Sequence, residues 1–254
     1  MRPRPLARPS VRLIAFHHAG GSSAMYHPMS AGLPADWELL VLDLPGRGKR
    51  HAEPALREMP ALLERVIDDV RPWLDAPVAL FGHSLGAILA AEVGRACDGL
   101  GAPPVWVGVS GRVAPSLQAQ APRLSHLDDA TLLGELIALG GTSGRIHEVP
   151  ELRAHLMRIV RSDIALLESY APADGRAALS CPVTAFAGVS DVWAPPAAML
   201  PWARETRGAF RQRLYPGGHF YFLGAAFADL VRDVVAELAP QVAPRAHEAA
   251  QSAG

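Results

Sequence analysis

Short apolar runs and amphipathic stretches alternate along most of this chain. VRLIAF at 11–16 gives way to the glycine-bearing loop HHAGGSS and reads as a strand; WELLVLDLPG at 37–46 repeats the pattern and stops at Pro45-Gly46. Met59, Leu62, Leu63, Val66, Ile67, Val70 and Leu74 recur every three or four residues, which predicts a helix over 58–75 with one buried stripe. PVALFG (77–82), PPVWVGVS (103–110), PVTAFAGV (182–189) and FRQRLY (210–215) read as further strands, and 85–97 and 222–238 as helices. Continuous apolar strands alternating with helices predict an α/β fold: a mostly parallel central sheet flanked by helices on both faces.

The alternation breaks at 115–175. LDDATLLGELIALGG (127–141) carries acidic residues in its first turn and a Gly-Gly stop, and VPELRAHLMRIVRSDIALLESY (149–170) places Pro150 at a helix start. Some sixty residues of helix between two strands read as a lid inserted into a core made of 11–114 and 176–239. Residues 1–10 and 240–254, rich in Pro, Ala and Arg, read as disordered ends.

Composition narrows the function. The chain has 254 residues, half of them hydrophobic, and a net charge of −1, which supplies no field for nucleic acid or an anionic membrane. The two cysteines, Cys97 and Cys181, have no metal-ligand spacing and suit small apolar core positions in a reducing compartment. No apolar run reaches the ~18 residues that a membrane span needs, and a cytoplasmic protein is expected.

Candidate chemistry centres on FGHSLG. Gly82-His83-Ser84-Leu85-Gly86 fits G-x-S-x-G and lies between a predicted strand and a predicted helix, the context a nucleophile elbow requires. A serine on so sharp a turn leaves no room for side chains two residues either side, and the following helix directs its amides at developing negative charge. With 14 serines and 23 glycines in the chain, chance supplies only about 0.1 such matches. Serine needs a base, and on this architecture an acid and then a histidine follow it. His126, His147 and His155 fall in the helical insertion, whereas His219, in YPGGHFYF, follows a strand directly. Asp191 follows the strand at 182–189; Asp163, mid-helix, and Asp174, in a polar turn, read as solvated charges. The oxyanion hole would take the amide of Leu85 and one from the FHHAGGSS loop, either Ala19 or Gly20.

These residues resemble the type II thioesterases, stand-alone editing hydrolases of polyketide and non-ribosomal peptide synthesis within the α/β-hydrolase fold. The likeness spans roughly 11–238 and rests on FHHAGGSS with Tyr26, LDLPGRGKR at 42–50, FGHSLG, LDDATLLGELIALGGT, SDIALLESY and YPGGHFYF. It implies a catalytic triad of Ser84, Asp191 and His219, oxyanion donors at Ala19 and Leu85, and no metal or cofactor. It also implies a carrier protein bearing phosphopantetheine-linked acyl groups as partner; a monomer is expected. The chain departs from the family where His17 stands for a frequent Pro, Leu85 for Met and Gly48 for an acidic or amide residue, and AFAGVSD lacks a frequent Gly-Asp pair. None of these removes a catalytic group; they leave acyl preference open. A carboxylesterase or lipase of small-molecule esters, an acyltransferase or cyclising thioesterase, and a non-catalytic carrier-binding or scaffold protein share parts of the pattern. Arg123, Arg145 and Arg161 in the insertion fit solvated helix faces as well as an acidic partner or a phosphate.

Overall fold

Six of the apolar runs pair into one sheet. β1 (Val11–Phe16), β2 (Trp37–Leu42), β3 (Val78–His83), β4 (Trp106–Ser110), β5 (Val183–Gly188) and β6 (Phe210–Tyr215) lie in the order β2-β1-β3-β4-β5-β6, every neighbouring pair parallel. The computed structural model describes residues 1–142, 145 and 148–242. β1, β3, β4 and β5 are buried along their whole length, as strands covered on both faces must be, while the edge strand β6 is mostly half-exposed.

The two-residue period divides each strand between two cores. Ile14 and Phe16 pack with Leu62 and Val66 of α1 (Met59–Val70) and with Leu89 and Val93 of α2 (Leu85–Gly99). Leu13 and Ala15 face the opposite side, with Tyr26, Met29 and, from α6 (Phe227–Val242), Leu230, Val234 and Leu238. α1 is shorter than its periodicity predicts because the chain tightens into a 3₁₀ turn at Arg71–Trp73, around Pro72. β4 starts only at Trp106, since Pro103 and Pro104 have no N–H for the ladder.

The insertion holds a turn at Pro115–Gln120, then α3 (Asp129–Ala138) and α4 (Pro150–Ser169). Asp128 caps α3 by accepting from the Thr131 amide at 2.8 Å. Leu132, Leu133, Met157, Val160 and Ile164 give this hairpin a small core of its own. The last helix of the described residues ends at Val242; the rest of the expected tail, 243–254, lies outside them. α5 (Pro196–Met199) is a single turn after β5.

The N-terminal residues, expected to be disordered, are instead fastened to the edge of β2. The Met1 amine donates to the Val41 carbonyl and the Val41 amide to the Met1 carbonyl. The Arg2 guanidinium and the Leu6 amide both reach the carboxylate of Glu38, and Arg4 donates to the carbonyls of Pro34 and Trp37. Glu38 is wholly buried in its strand, also held by Arg12 at 2.8 Å, and it anchors the segment that composition alone marks as loose.

Candidate active site

Parallel strands deliver all their following loops to one edge, and the sequence-predicted residues gather there. Ser84 directly follows β3 with φ 55° and ψ −112°, the only non-glycine residue with positive φ among the described residues. A backbone held in so sparse a region costs roughly 1–3 kcal/mol and persists where surrounding structure fixes it. Here the fixing is visible. The Ser84 amide donates to the Ser110 carbonyl of β4 at 2.8 Å. A Cβ on Gly82 would overlap the Gly86 carbonyl, and one on Gly86 would overlap the backbone of Phe16. α2 therefore starts against the end of β1, with Leu85, fully buried, as its first residue.

The Asp191 and His219 loops are joined to each other. The Ser190 amide donates to the Gly217 carbonyl, and Gly188 is so close to the Gly218 carbonyl that no side chain fits. His219 Nδ1 donates to Asp191 Oδ2 at 2.8 Å, while Asp191 Oδ1 accepts from the amides of Trp193 and Ala194 at 2.9 and 3.0 Å. Burial alone would raise the pKa of Asp191; the His219 bond and the two amides outweigh it and hold the carboxyl below its ordinary value. The His219 ring centroid lies 4.7 Å from that of His83, next to the serine, and a Cβ on Gly111 would stand 3.3 Å from the His219 ring. The hydrogen bond that His219 makes is the one to Asp191 rather than to Ser84; contacts between base and nucleophile commonly tighten only when substrate is bound.

The rival residues lie elsewhere. His126, His155 and Asp174 are exposed, and His147 lies outside the described residues. Asp163 contradicts its reading as a solvated charge: its carboxylate is fully buried. It takes both Arg47 terminal nitrogens, at 2.5 and 2.6 Å, and the Gly20 amide at 2.7 Å. α4 thus grips the loop after β1 and the LPGRG turn together. The grip also separates the two oxyanion candidates, since the Gly20 amide is already engaged.

Two further features escape sequence reading. His83 Nδ1 bonds the Ser110 hydroxyl at 2.8 Å, and that hydroxyl bonds Tyr221 at 2.8 Å, a buried polar chain directly behind the elbow. Burial first, then the neighbouring His219 and His18, hold the His83 pKa well below its ordinary value; burial and then Arg47 lower that of His17 to about 4. The insertion lies close: a Cβ on Gly20 would stand 2.9 Å from Val160 of α4. A pocket bounded by His18, Ala19, Leu136, Leu156, Val160 and Phe220 has a volume of only about 30 Å³, room for about one water.

A parallel sheet with a strained serine at a strand-to-helix junction and a carboxylate-bound histidine at the same edge defines an α/β-hydrolase. The thioesterase domain family matches residues 11–238. Thioesterase PikA5 of Streptomyces venezuelae is 40% identical over 223 residues, 87% of this chain and 78% of that protein. BorB, the type II thioesterase from the borrelidin biosynthetic cluster, superposes with a TM-score of 0.84 at 33% identity, covering 95% of this chain and 96% of BorB. YbtT, a type II thioesterase from the yersiniabactin NRPS/PKS pathway, gives 0.83 at 26% identity, covering 96% and 99%. The chain belongs to the thioesterase family, as a type II thioesterase. Among its described residues no helix is long and apolar enough to cross a membrane.

Proposed function

We propose that this thioesterase cleaves acyl groups from the phosphopantetheine arm of a carrier protein, through an acyl-enzyme on Ser84. The relatives' membership of polyketide and non-ribosomal peptide pathways supports the carrier as partner. The observation that carries the chemistry is the meeting, at one sheet edge, of a strained serine and an imidazole bound to a buried carboxylate. His219 takes the Ser84 proton as the oxygen attacks the thioester carbonyl, and Asp191 holds the imidazole with its proton on Nδ1. The tetrahedral oxyanion is met by the Leu85 amide, at the positive end of α2, and by Ala19, the amide left after Asp163 claims Gly20. Collapse breaks the carbon–sulfur bond and the arm's thiol leaves with the proton from His219. Water, deprotonated by the same histidine, attacks the acyl-enzyme and releases the free acid. The pocket beneath the insertion must widen before an acyl chain can enter, so the hairpin of α3 and α4 is assigned as a moving lid.

The test is hydrolysis of an acyl-carrier thioester by wild type and Ser84→Ala, alongside a simple ester. Wild type should prefer the carrier thioester and show a transient acyl adduct on Ser84 by intact-protein mass spectrometry. Ser84→Ala should fold normally and show neither turnover nor adduct. Wild-type turnover by Ser84→Ala would end the proposal.

A further inference from the structure

A second cavity, of about 690 Å³, opens beside the turn at Pro115–Gln120, the end of α4 and the chain at 170–178. Neither Ser84, Asp191 nor His219 lines it. It is nevertheless close to them along the chain: Ser110 accepts from the nucleophile's amide, and Arg112, two residues on, lines the cavity.

Arg112 is the unusual group there. It is only 8% exposed. Its Nη2 donates to Gln118 Oε1 at 2.6 Å, and its Nε is buried with no acceptor. No carboxylate among the described residues pairs with it, although buried guanidinium groups normally have one. Burial lowers its pKa to about 10, so the cation persists at neutral pH. The acidic groups around the cavity do not serve it. Glu205 is held by Arg95 and Arg176, and Glu168 takes the amides of Leu124 and Ser125 and the Ser125 hydroxyl. Asp174 sits in an exposed turn. Arg123 and Arg204 add two exposed cations to the rim.

We propose that this cavity binds a phosphate ester, with Arg112 as its buried anchor and Arg123 and Arg204 at the rim. The guanidinium fork suits phosphate and carboxylate alike. The choice follows from the number of cations and their placement. A tetrahedral phosphate offers oxygens in several directions, to the floor and to the rim, whereas a carboxylate's two oxygens share one plane. Pro115, Leu167, Pro172 and Ala178 supply apolar wall for an organic remainder, and the volume lies in the range of small-molecule sites. The phosphate has two possible sources: the carrier's phosphopantetheine arm, which rests on the function proposed above, or a free phosphorylated small molecule.

Calorimetric titration of the full chain with 4′-phosphopantetheine, pantetheine and inorganic phosphate tests the site. Wild type should bind phosphopantetheine at least about tenfold tighter than pantetheine, and Arg112→Gln should lose that advantage, as removal of a charge-assisted hydrogen bond predicts. Arg204→Gln, at an exposed position that leaves core packing alone, should lose part of it. Equal wild-type affinity for the two ligands overturns the proposal, as does unchanged phosphopantetheine binding in both variants. Kinetics then separate the sources. If Arg112→Gln raises KM for an acyl-phosphopantetheine thioester but not for the acyl-pantetheine thioester, the arm's phosphate occupies the cavity during turnover. If both KM values stay put while inorganic phosphate binding is lost, the ligand is free. A wild-type protein that hydrolyses neither thioester counts against the proposed function and leaves the binding result standing.

Discussion

Replacing Asp163 by Asn probes a buried charged contact that ties α4 to the loop after β1. The amide is nearly isosteric, and its carbonyl oxygen can still accept from the Gly20 amide. What changes is the environment of Arg47. Its side chain is 3% exposed and meets both Asp163 oxygens, so the substitution strands a buried guanidinium beside a neutral group. Removing one partner of a buried ion pair costs about 3–5 kcal/mol. In a chain of this size that lowers the thermal midpoint by roughly 10 °C. It is a large share of the ~5–15 kcal/mol that a folded protein holds. The double variant Arg47→Met with Asp163→Asn removes the stranded charge and should recover most of the loss, because buried ion pairs are often replaceable by apolar groups. Urea titrations of the four proteins give the coupling energy directly. An Asp163→Asn protein within about 1 kcal/mol of wild type, the range of an exposed ion pair, would refute the assignment of a buried pair. So would a double variant as unstable as the two single losses added together.

Asp191→Asn should leave the fold intact and reduce kcat by about 10⁴-fold, the size of the effect in other triads. The amides of Trp193 and Ala194 keep the carbonyl oxygen of the introduced asparagine, so its NH₂ faces His219 and forces the wrong tautomer; a pre-steady-state rate near wild type would exclude this. Stability should fall as pH drops from about 6.5 to about 4. His17 and His83 are neutral in the fold with lowered pKa values, while their unfolded counterparts take up protons across that window. Each adds a slope of up to about 1.4 kcal/mol per pH unit, and flat urea midpoints between pH 7 and 5 would count against it. Hydrogen exchange should be faster in α3 and the first half of α4 than beyond Asp163. The latter part is tied by Arg47, by Ser169 to the Met59 amide and by Glu168 to residues 124 and 125, whereas 150–155 are exposed; uniform protection along α4 would rule out a lid that pivots there.

The sheet and the elbow were legible because their signals are local. A strand covered on both faces is mostly apolar along its length, and a serine on so sharp a strand-to-helix turn needs glycine two residues either side, so both constraints are written in nearby residues. The order of acid and histidine was legible for a related reason: parallel strands bring their ends to one edge, so a residue's place after its strand already gives its place in space. Asp191 and His219 meet there.

Asp163 and the N-terminal segment were not legible, and both failures have the same cause. A buried charge is stable only through its partner, and the partners here are 116 residues away for Asp163–Arg47 and 36 for Arg2–Glu38. A mid-helix aspartate has the same local signature whether water or a guanidinium faces it. Glu38 is different, because it stands inside the run WELLVL, where every neighbour is destined for the core. A carboxylate at such a position requires cations close by, and two arginines, Arg2 and Arg12, meet that requirement. The same logic applied to Arg112 finds a buried charge at the end of a core strand whose partner the described residues do not provide. For charges, then, the informative sequence signal is a polar residue in an apolar run, and the structure must be searched for what answers it. At Glu38 the answer is the N-terminus; at Arg112 the phosphate ester proposed above would supply it.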